Sequence, residues 1–329
     1  MLIEKHELTM SQLGLGHLTE FDLMVMFGNA HSHHLVQDLD ITPEGIRDAA
    51  GLLLYPAYFC THLKVPPHRT LGRFGPWSHV DVGTDVKRFG DTVLESRYLF
   101  GSDGEVPADP ALWGEADLVS MYGSNLIVVD ATEEGSARKV SVPKPGCIAS
   151  LDKLRRPPAA IGRARKVRGA GFDLPGDGFL YLEEPFRYKL LPHRDASPGH
   201  AMIFAMFTRL MDYAEFHLLS EVLRPALPHA VLHHLEVLDR ETFYYGNAFA
   251  GDEVAVTVVG DLELVEPDFH GEALDIVSAG KLTFNIEVTN ARGGALLALA
   301  HVEKLLALPT SLQDLTQDVR RFYTAHYEA

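Results

Sequence analysis

Residues 200–223, HAMIFAMFTRLMDYAEFHLLSEVL, form the stretch that decides the fold. Its apolar members are Met202, Ile203, Phe204, Met206, Phe207, Leu210, Met211, Tyr213 and Phe216. At the 3.6-residue period of a helix these side chains cover most of the circumference, which is typical of a helix enclosed by other structure. The stretch therefore predicts a helix from about His200 to Leu223 that is covered by a sheet.

The residues after this helix have the pattern of antiparallel strands. A strand candidate covers Val231–Tyr245, and residues 282–288 then place Leu, Phe, Ile and Val at period two. A turn at Asn290–Gly294 separates these residues from a further strand candidate, Ala295–Leu306. The pattern predicts one mostly apolar helix followed by a run of strands.

The first half of the chain repeats this order of elements. Its elements are a helix at Phe21–Leu35, a strand at Leu52–Val65, a turn and strand at Gly90-Asp91-Thr92-Val93, and a hairpin from Leu126–Val129 through Glu133–Ser136. Gly251-Asp252-Glu253-Val254 is the apparent counterpart of the Gly90 turn, because Gly and Asp favour a turn before a strand. Two copies of one unit are predicted.

Two such units make an α+β protein, in which each antiparallel sheet wraps one helix. The double hotdog, with two tandem hotdog domains, is the fold that this arrangement predicts. The expected boundaries are a first hotdog domain at 1–150, a linker at 151–178, a second hotdog domain at 179–308 and a C-terminal helix at 309–329. Ser311 and Asp314 are placed like a capping pair for that last helix.

The linker is rich in Pro, Gly and basic residues and lacks convincing periodicity. Seven basic residues occur without an acidic neighbour: Lys153, Arg155, Arg156, Arg163, Arg165, Lys166 and Arg168. A solvated linker is the favoured interpretation, and a dock for phosphate or for an acidic protein surface is the alternative.

Composition narrows the class of protein. The 329 residues are 46% hydrophobic and 22% charged, so they can bury a core and are not globally disordered. No apolar run is long enough to cross a bilayer, and Met1–His6 leads into no signal-like apolar segment. Only Cys60 and Cys147 are available for disulfides, so a cytoplasmic location is expected. The net charge of −16 disfavours general binding to nucleic acid.

Motifs for nucleotide binding and for the Gly-x-Ser-x-Gly hydrolases are absent from the sequence. His31 and His34 share a helical face, but no nearby carboxylate or Cys completes a metal site, and packed or solvent-facing histidines are favoured. His233 and His234 fall in a strand candidate and are expected on opposite faces. Cys60 is expected to be a small buried residue. No metal and no bound cofactor are predicted.

Tyrosines and amides are the more informative candidates. Tyr55 and Tyr58 stand on either side of Pro56 in an apolar strand, and core aromatics are the simplest interpretation. Asn247 follows Tyr245 at the end of a strand, where its amide could donate to a ligand or serve the adjacent turn.

At five stretches the sequence resembles the double-hotdog bifunctional acyltransferase/decarboxylases of polyketide biosynthesis, typified by the leinamycin pathway enzyme. They are Asp48–Phe59, Phe89-Gly90-Asp91-Thr92, Phe186–Pro192, Ile203–Asp212 and Tyr244-Tyr245-Gly246-Asn247-Ala248. The motifs are short, and their order and spacing carry the resemblance over nearly the whole chain. Pro56, Cys60, His62 and the histidines at 31–34 depart from the family pattern.

The resemblance implies an enzyme that takes a malonyl-type group, most simply methylmalonyl, from coenzyme A, decarboxylates it and loads it on an acyl carrier protein. By alignment Tyr55 is the catalytic nucleophile that carries the acyl group as an ester. Tyr58, Tyr245 and Asn247 are candidates for substrate binding, and so is Asp212, which could steer a proton or satisfy a polar contact. The implied partners are acyl-coenzyme A and the phosphopantetheine arm of the carrier protein, with no nucleic acid or membrane, in a monomer or homodimer.

Two alternatives remain open at this point. A hotdog thioesterase or dehydratase would use Asp212 or a histidine on acyl thioesters. A non-catalytic double hotdog would only dock a carrier protein through the basic linker.

Overall fold

A computed structural model describes residues 1–14, 17–38, 45–129, 139–173, 180–196, 201–223, 229–265, 276–309 and 314–327. The first unit consists of β1 (Leu2–Glu7), β2 (Leu13–Gly14), β3 (His17–Leu18), α1 (Glu20–Asp38), β4 (Ile46–Arg47), β5 (Leu53–Lys64), β6 (His79–Phe89), β7 (Val93–Ser102), β8 (Val119–Val129) and β9 (Lys139–Val140). The helix α2 (Ala159–Ala170) then leads to the second unit.

The second unit follows the same order, with a long helix ahead of its long strands. Its elements are β10 (Leu180–Tyr181), β11 (Phe186–Lys189), α3 (Phe204–Leu223), β12 (Leu235–Tyr244), β13 (Glu253–Glu263), β14 (Ile276–Asn290), β15 (Leu296–Pro309) and α4 (Leu315–Tyr327). The predicted helix α3 and hairpin β14–β15 are confirmed, and α3 begins at Phe204. The predicted start at His200 lies outside the described residues.

Thirteen strands of the described residues form one antiparallel sheet that is continuous across both units. Its main path runs β1-β6-β7-β8-β5-β12-β15-β14-β13-β10. The units join where β5 pairs with β12, with Thr61 opposite Thr242. Outward from this junction the strands β8, β7 and β6 of the first unit correspond to β15, β14 and β13 of the second.

Each long helix packs its apolar side chains on the inner face of its own half of the sheet. Leu23 and Phe27 of α1 are fully buried in the core of the first unit, and Leu210 and Leu218 of α3 are fully buried in that of the second. Tyr213 and the neighbouring Phe216 stay exposed, so the sheet does not enclose α3 on every side.

The two helices also touch each other. A Cβ at Gly28 of α1 would lie 2.7 Å from the Phe204 ring at the start of α3, so this close approach requires glycine. Their contact creates an interior that both units share.

The predicted linker, which has no convincing periodicity in the sequence, contains the helix α2 at residues 159–170. Ala160, Ala164 and Val167 of α2 pack on Cys60 and Phe243, on the outer face of the β5–β12 junction. These small apolar side chains are four and then three residues apart, so they lie on one face of the helix, and this face is buried.

The two Gly-Asp turns are not equivalent, which corrects the predicted alignment of the repeat. Gly90, with φ 61°, joins β6 to β7, whereas Gly251, with φ 91°, precedes β13. Since β13 corresponds to β6, these turns open different strands. The turn composition identifies a turn and does not identify which strands it joins.

The C-terminal helix α4 packs Val319 and Phe322 on the core of the second unit, as predicted. Ser311 of the expected capping pair and the predicted hairpin turn at Glu133–Ser136 lie outside the described residues. Among the helices of the described residues, none is long and apolar enough to span a bilayer.

Candidate active site

A cavity of ≈ 400 Å³ lies between the start of α1, the middle of α3 and the strands β12 and β15. Its apolar lining residues are Leu18, Leu71, Phe216, Leu232, Leu235 and Val237. Its charged lining residues are Glu20, Asp212, Glu215, Glu236 and Lys304. Both units contribute to this wall, so the cavity depends on their association.

A buried ion cluster forms the floor beside the cavity. The guanidinium of Arg240 has no exposed surface and donates to Glu20, to Asp212 Oδ1 at 2.9 Å and to Glu215 Oε1 at 3.0 Å. Burial lowers the pKa of Arg240, but the carboxylates Glu20, Glu215 and Asp212 raise it to above its ordinary value. Arg240 therefore stays charged and fixes the start of α1 against α3.

Lys304 supplies a second cation and is one of the residues that line the cavity. It lies 2.9 Å from Asp212 Oδ1 and 2.5 Å from Glu215 Oε2. Burial lowers the pKa of Lys304, but these two carboxylates raise it to above its ordinary value. An ammonium group has three hydrogens, so two carboxylates leave one donor for a ligand.

Asp212, a predicted substrate-binding residue, lies in this cluster. Its side chain is 30% exposed, whereas those of Glu20 and Glu215 are 6% and 2% exposed, so Asp212 is the most accessible of the three carboxylates around Arg240. Burial raises the pKa of Asp212, and Lys304 and Arg240 lower it to below its ordinary value. Asp212 is consequently an anion that orients Lys304.

Glu20 and Glu236 are the carboxylates of the cavity wall whose pKa is raised to about 7, and of the two only Glu20 is hydrogen-bonded to Arg240. Burial raises the pKa of Glu236 to about 7, against the opposing effects of the Gly72 backbone amide and the charge of Lys304. The Gly72 amide donates to Glu236 Oε2 at 3.3 Å, and a Cβ at residue 72 would overlap Oε1. A carboxylate with this pKa can accept and return a proton near neutral pH.

Tyr58, a second predicted substrate-binding residue, lies in the interior of the first unit. Its hydroxyl is 2.6 Å from the Tyr98 hydroxyl, which is 2.9 Å from His31 Nδ1. The ring packs on Phe204 with centroids 4.6 Å apart. Burial and the neighbouring Tyr98 raise the pKa of Tyr58 well above its ordinary value, so this phenol is a poor nucleophile.

Tyr55, the predicted nucleophile, lies half-buried on β5 and pairs with Val128. Leu54 and Tyr58 pack in interior clusters, so strand alternation places Tyr55 on the opposite face. Nine residues separate Tyr55 from Lys64 at the cavity end of β5, a distance of about 30 Å along the strand. Tyr55 and Asp212 are therefore not brought together.

The remaining predicted binding residues have structural contacts elsewhere. The Tyr245 hydroxyl donates to the Ala164 carbonyl of α2 at 2.8 Å, on the outer face of the sheet. Burial raises the pKa of Tyr245 to about 12. Asn247 is buried, and its Oδ1 accepts from the Ala248 amide at 2.9 Å, which closes the turn beside Met202.

The histidines and Cys60 also have defined places. His31 and His34 are buried, and Cys60 is buried as predicted. The predicted strand for His233 and His234 is wrong, because His229–His234 is a 3-10 helix. His233 lines the cavity.

Sequence reasoning missed Glu236, Lys304, Arg240 and Glu20. A signal exists for Lys304, which continues the inward face of β15 that Ala298, Ala300 and Val302 define. A lysine among inward apolar residues indicates a buried partner. Glu236 has no such signal, because its position depends on Gly72 of the other unit.

No protein-family model matches the chain, and no curated protein sequence matches it. Solved structures do. An acyl-ACP thioesterase from Bacteroides thetaiotaomicron has a TM-score of 0.53 at 12% identity, over 92% of this chain and 97% of that one. The 12:0-ACP thioesterase from Umbellularia californica has a TM-score of 0.55 at 11% identity, over 92% and 96%.

The chain has the double-hotdog fold. Both similar structures are matched over nearly their whole length, so the match includes both units. Identities of 11% and 12% establish the shared fold alone.

Proposed function

We propose that this protein acts on acyl thioesters and hydrolyses them in the cavity between its two units. The observation that carries the proposal is that Glu236 and Lys304 line one cavity together with several apolar side chains. Apolar side chains suit an acyl chain, and a few polar groups among them suit a reacting carbonyl. The thioesterase structures of the same fold support the substrate class.

In the proposed reaction Glu236 removes a proton from water, and the water oxygen bonds to the acyl carbon. The carbonyl oxygen accepts a hydrogen bond from Lys304, which stabilises the negative charge that develops there. The carbon–sulfur bond then breaks, and Glu236 returns the proton to the leaving thiolate. Asp212 keeps Lys304 in place, so it is a positioning residue.

The test is release of free thiol from octanoyl-coenzyme A. The proposal expects Glu236→Gln to lower kcat by at least about 100-fold, because it removes the general base. Glu303→Gln is the matched control, since Glu303 adjoins Lys304 on β15 but pairs with Lys281 on the other face. A Glu236→Gln protein that keeps full activity would place the chemistry elsewhere.

Activity should also depend on pH in the direction set by Glu236. Because Glu236 has a pKa of about 7 and acts as a base, kcat/KM should rise as the pH increases through about 7. Glu236→Gln should flatten this rise in any residual activity. A wild-type profile that falls over this range would contradict the role of Glu236.

A second candidate is the acyltransferase/decarboxylase activity that the family resemblance implies, with Tyr55 as nucleophile and an acyl carrier protein as acceptor. What favours it is that Tyr55 is half-buried and therefore more accessible than Tyr58. Methylmalonyl-coenzyme A should then leave a decarboxylated acyl group on the intact protein, detected by mass. Tyr55→Phe should abolish this adduct and leave the hydrolysis of octanoyl-coenzyme A unchanged.

A further inference from the structure

The outer face of the sheet carries a concentrated positive surface. The basic residues of 153–168 give this segment a charge of +7, while the rest of the chain sums to −23. All seven are exposed, and we call them the basic patch: Lys153, Arg155, Arg156, Arg163, Arg165, Lys166 and Arg168. Such a local excess in an acidic protein favours an anionic partner.

Two members of the basic patch hold α2 on the sheet and the others remain available. Arg163 lies 2.6 Å from Glu241, and the Arg168 guanidinium lies over the Tyr245 ring at 5.4 Å. Within the described part of the chain, four members of the patch have no side-chain partner: Arg155, Arg156, Arg165 and Lys166. These four cations are exposed.

A groove of ≈ 310 Å³ extends this positive surface along the outer face. It is lined by Lys64 of β5 and Arg97 of β7, and the described residues supply no partner for either side chain. Two neighbouring polar groups are already engaged, since His62 bonds Asp239 at 2.9 Å and Tyr122 donates to Glu95. The groove therefore offers two unpaired cations to one small anionic group.

The groove lies between the basic patch and the cavity along the junction strands. Glu241, which holds Arg163, and Glu236, on the cavity wall, are five residues apart on β12, or about 17 Å. In the strand register Lys64 of β5 lies opposite Asp239 of β12, and Asp239 is between Glu236 and Glu241. The patch and the groove are on the outer face of the sheet and the cavity is on the inner face, so a flexible arm from the patch would pass the groove and turn around the end of β12 to reach the cavity.

We propose that the basic patch docks an acidic acyl carrier protein, and that Lys64 and Arg97 bind the phosphate of its pantetheine arm. This inference rests on the proposed function, because the arm would deliver the thioester to the same cavity. The exposed residues of α2 include no large apolar side chain, which argues against a membrane surface. The acidic remainder of the chain argues against an extended nucleic acid.

The docking test measures binding of fluorescent holo-acyl carrier protein by anisotropy. The variant R155E/R156E/R165E/K166E should weaken binding by at least about tenfold, and salt should weaken wild-type binding. The matched control K144E/K189E/R292E/R320E makes the same charge change at exposed sites elsewhere and should bind within about twofold of wild type. Equal losses in both variants would overturn a specific patch.

The arm is tested by comparing carrier protein with and without pantetheine. K64Q/R97Q should weaken binding of the holo form and leave the apo form unchanged, whereas the patch variant should weaken both. Equal effects of K64Q/R97Q on both forms would refute the phosphate site. Binding of duplex DNA or anionic vesicles, without binding of the carrier protein, would refute the carrier protein as the partner.

Failure of this inference is distinguishable from failure of the proposed function. The patch variant should hydrolyse octanoyl-coenzyme A at the wild-type rate, because the patch does not line the cavity. Hydrolysis without carrier binding would refute docking alone, and carrier binding without hydrolysis of any thioester would refute the catalytic proposal.

Discussion

Arg240 is the residue on which the charged interior depends. It has no exposed surface and compensates the carboxylates of Glu20, Asp212 and Glu215. Arg240→Leu would leave Glu20 without its cation, and Asp212 and Glu215 with Lys304 alone. We expect it to lower the free energy of unfolding by about 3–5 kcal/mol, measured by urea denaturation.

Arg187→Leu is the control for this prediction. Arg187 and Glu253 are 50% and 43% exposed, and their charged atoms are 3.9 Å apart. Solvent screens such a pair, so the expected loss is below about 1 kcal/mol. Similar losses for both variants would show that Arg240 contributes no more than a surface cation.

At the scale of elements, α1 and α3 meet at a glycine. Alanine normally stabilises a helix interior relative to glycine by roughly 0.5–1 kcal/mol. At Gly28 a Cβ would lie 2.7 Å from the rigid Phe204 ring, which is also packed on Tyr58. Gly28→Ala should therefore destabilise the protein by about 1–3 kcal/mol in urea denaturation.

Two variants check this explanation. A Cβ at Gly162 of α2 would meet nothing within 4 Å, so Gly162→Ala should be neutral or stabilising. Phe204→Leu should reduce the cost of Gly28→Ala, as a coupling energy in the double-mutant cycle. Additive effects of Gly28→Ala and Phe204→Leu would refute the steric origin.

The elements also show what a sequence can and cannot predict here. Helix α3 and the hairpin β14–β15 follow from local periodicity, and the structure confirms them. The equivalence of the Gly90 and Gly251 turns was wrong because strand neighbours are set by nonlocal pairing. Asp212 could be named as a candidate from its place on its own helix. Its partner Lys304 lies 92 residues away, and their contact depends on nonlocal pairing.

At the scale of the whole molecule, the interiors of the two halves differ in their polar chemistry. In the second unit, α3 places Glu215 against Arg240 of β12, in an ionised cluster. In the first unit, α1 places His31 against Tyr98 and near Tyr58 of β5, in an interior of neutral hydrogen-bonding groups. The shared sheet thus holds one charged and one uncharged polar centre, which should respond differently to pH.

The uncharged centre should make the fold sensitive to acid through His31. Burial lowers the pKa of His31 to about 3 from 6.5, with a smaller effect of His34. Because the folded-state pKa is the lower one, the stability gained from the neutral ring is fully present above pH 6.5. It is lost as the pH falls from 6.5 towards about 3.

Urea denaturation of wild type and His31→Gln between about pH 7.5 and about pH 5 tests this linkage. Glu20 and Glu236 have folded-state pKa values raised to about 7, so both stabilise the folded state as the pH falls through that value. This contribution is the same in both proteins and cancels in their difference. Of the groups near the ring, Ser96, Tyr98 and Tyr58 do not titrate in this range, and His34 is retained in both proteins. Wild type should therefore lose more stability on acidification than His31→Gln, although the variant is less stable at neutral pH. Parallel pH profiles would mean that the His31 ring is not held neutral by the fold.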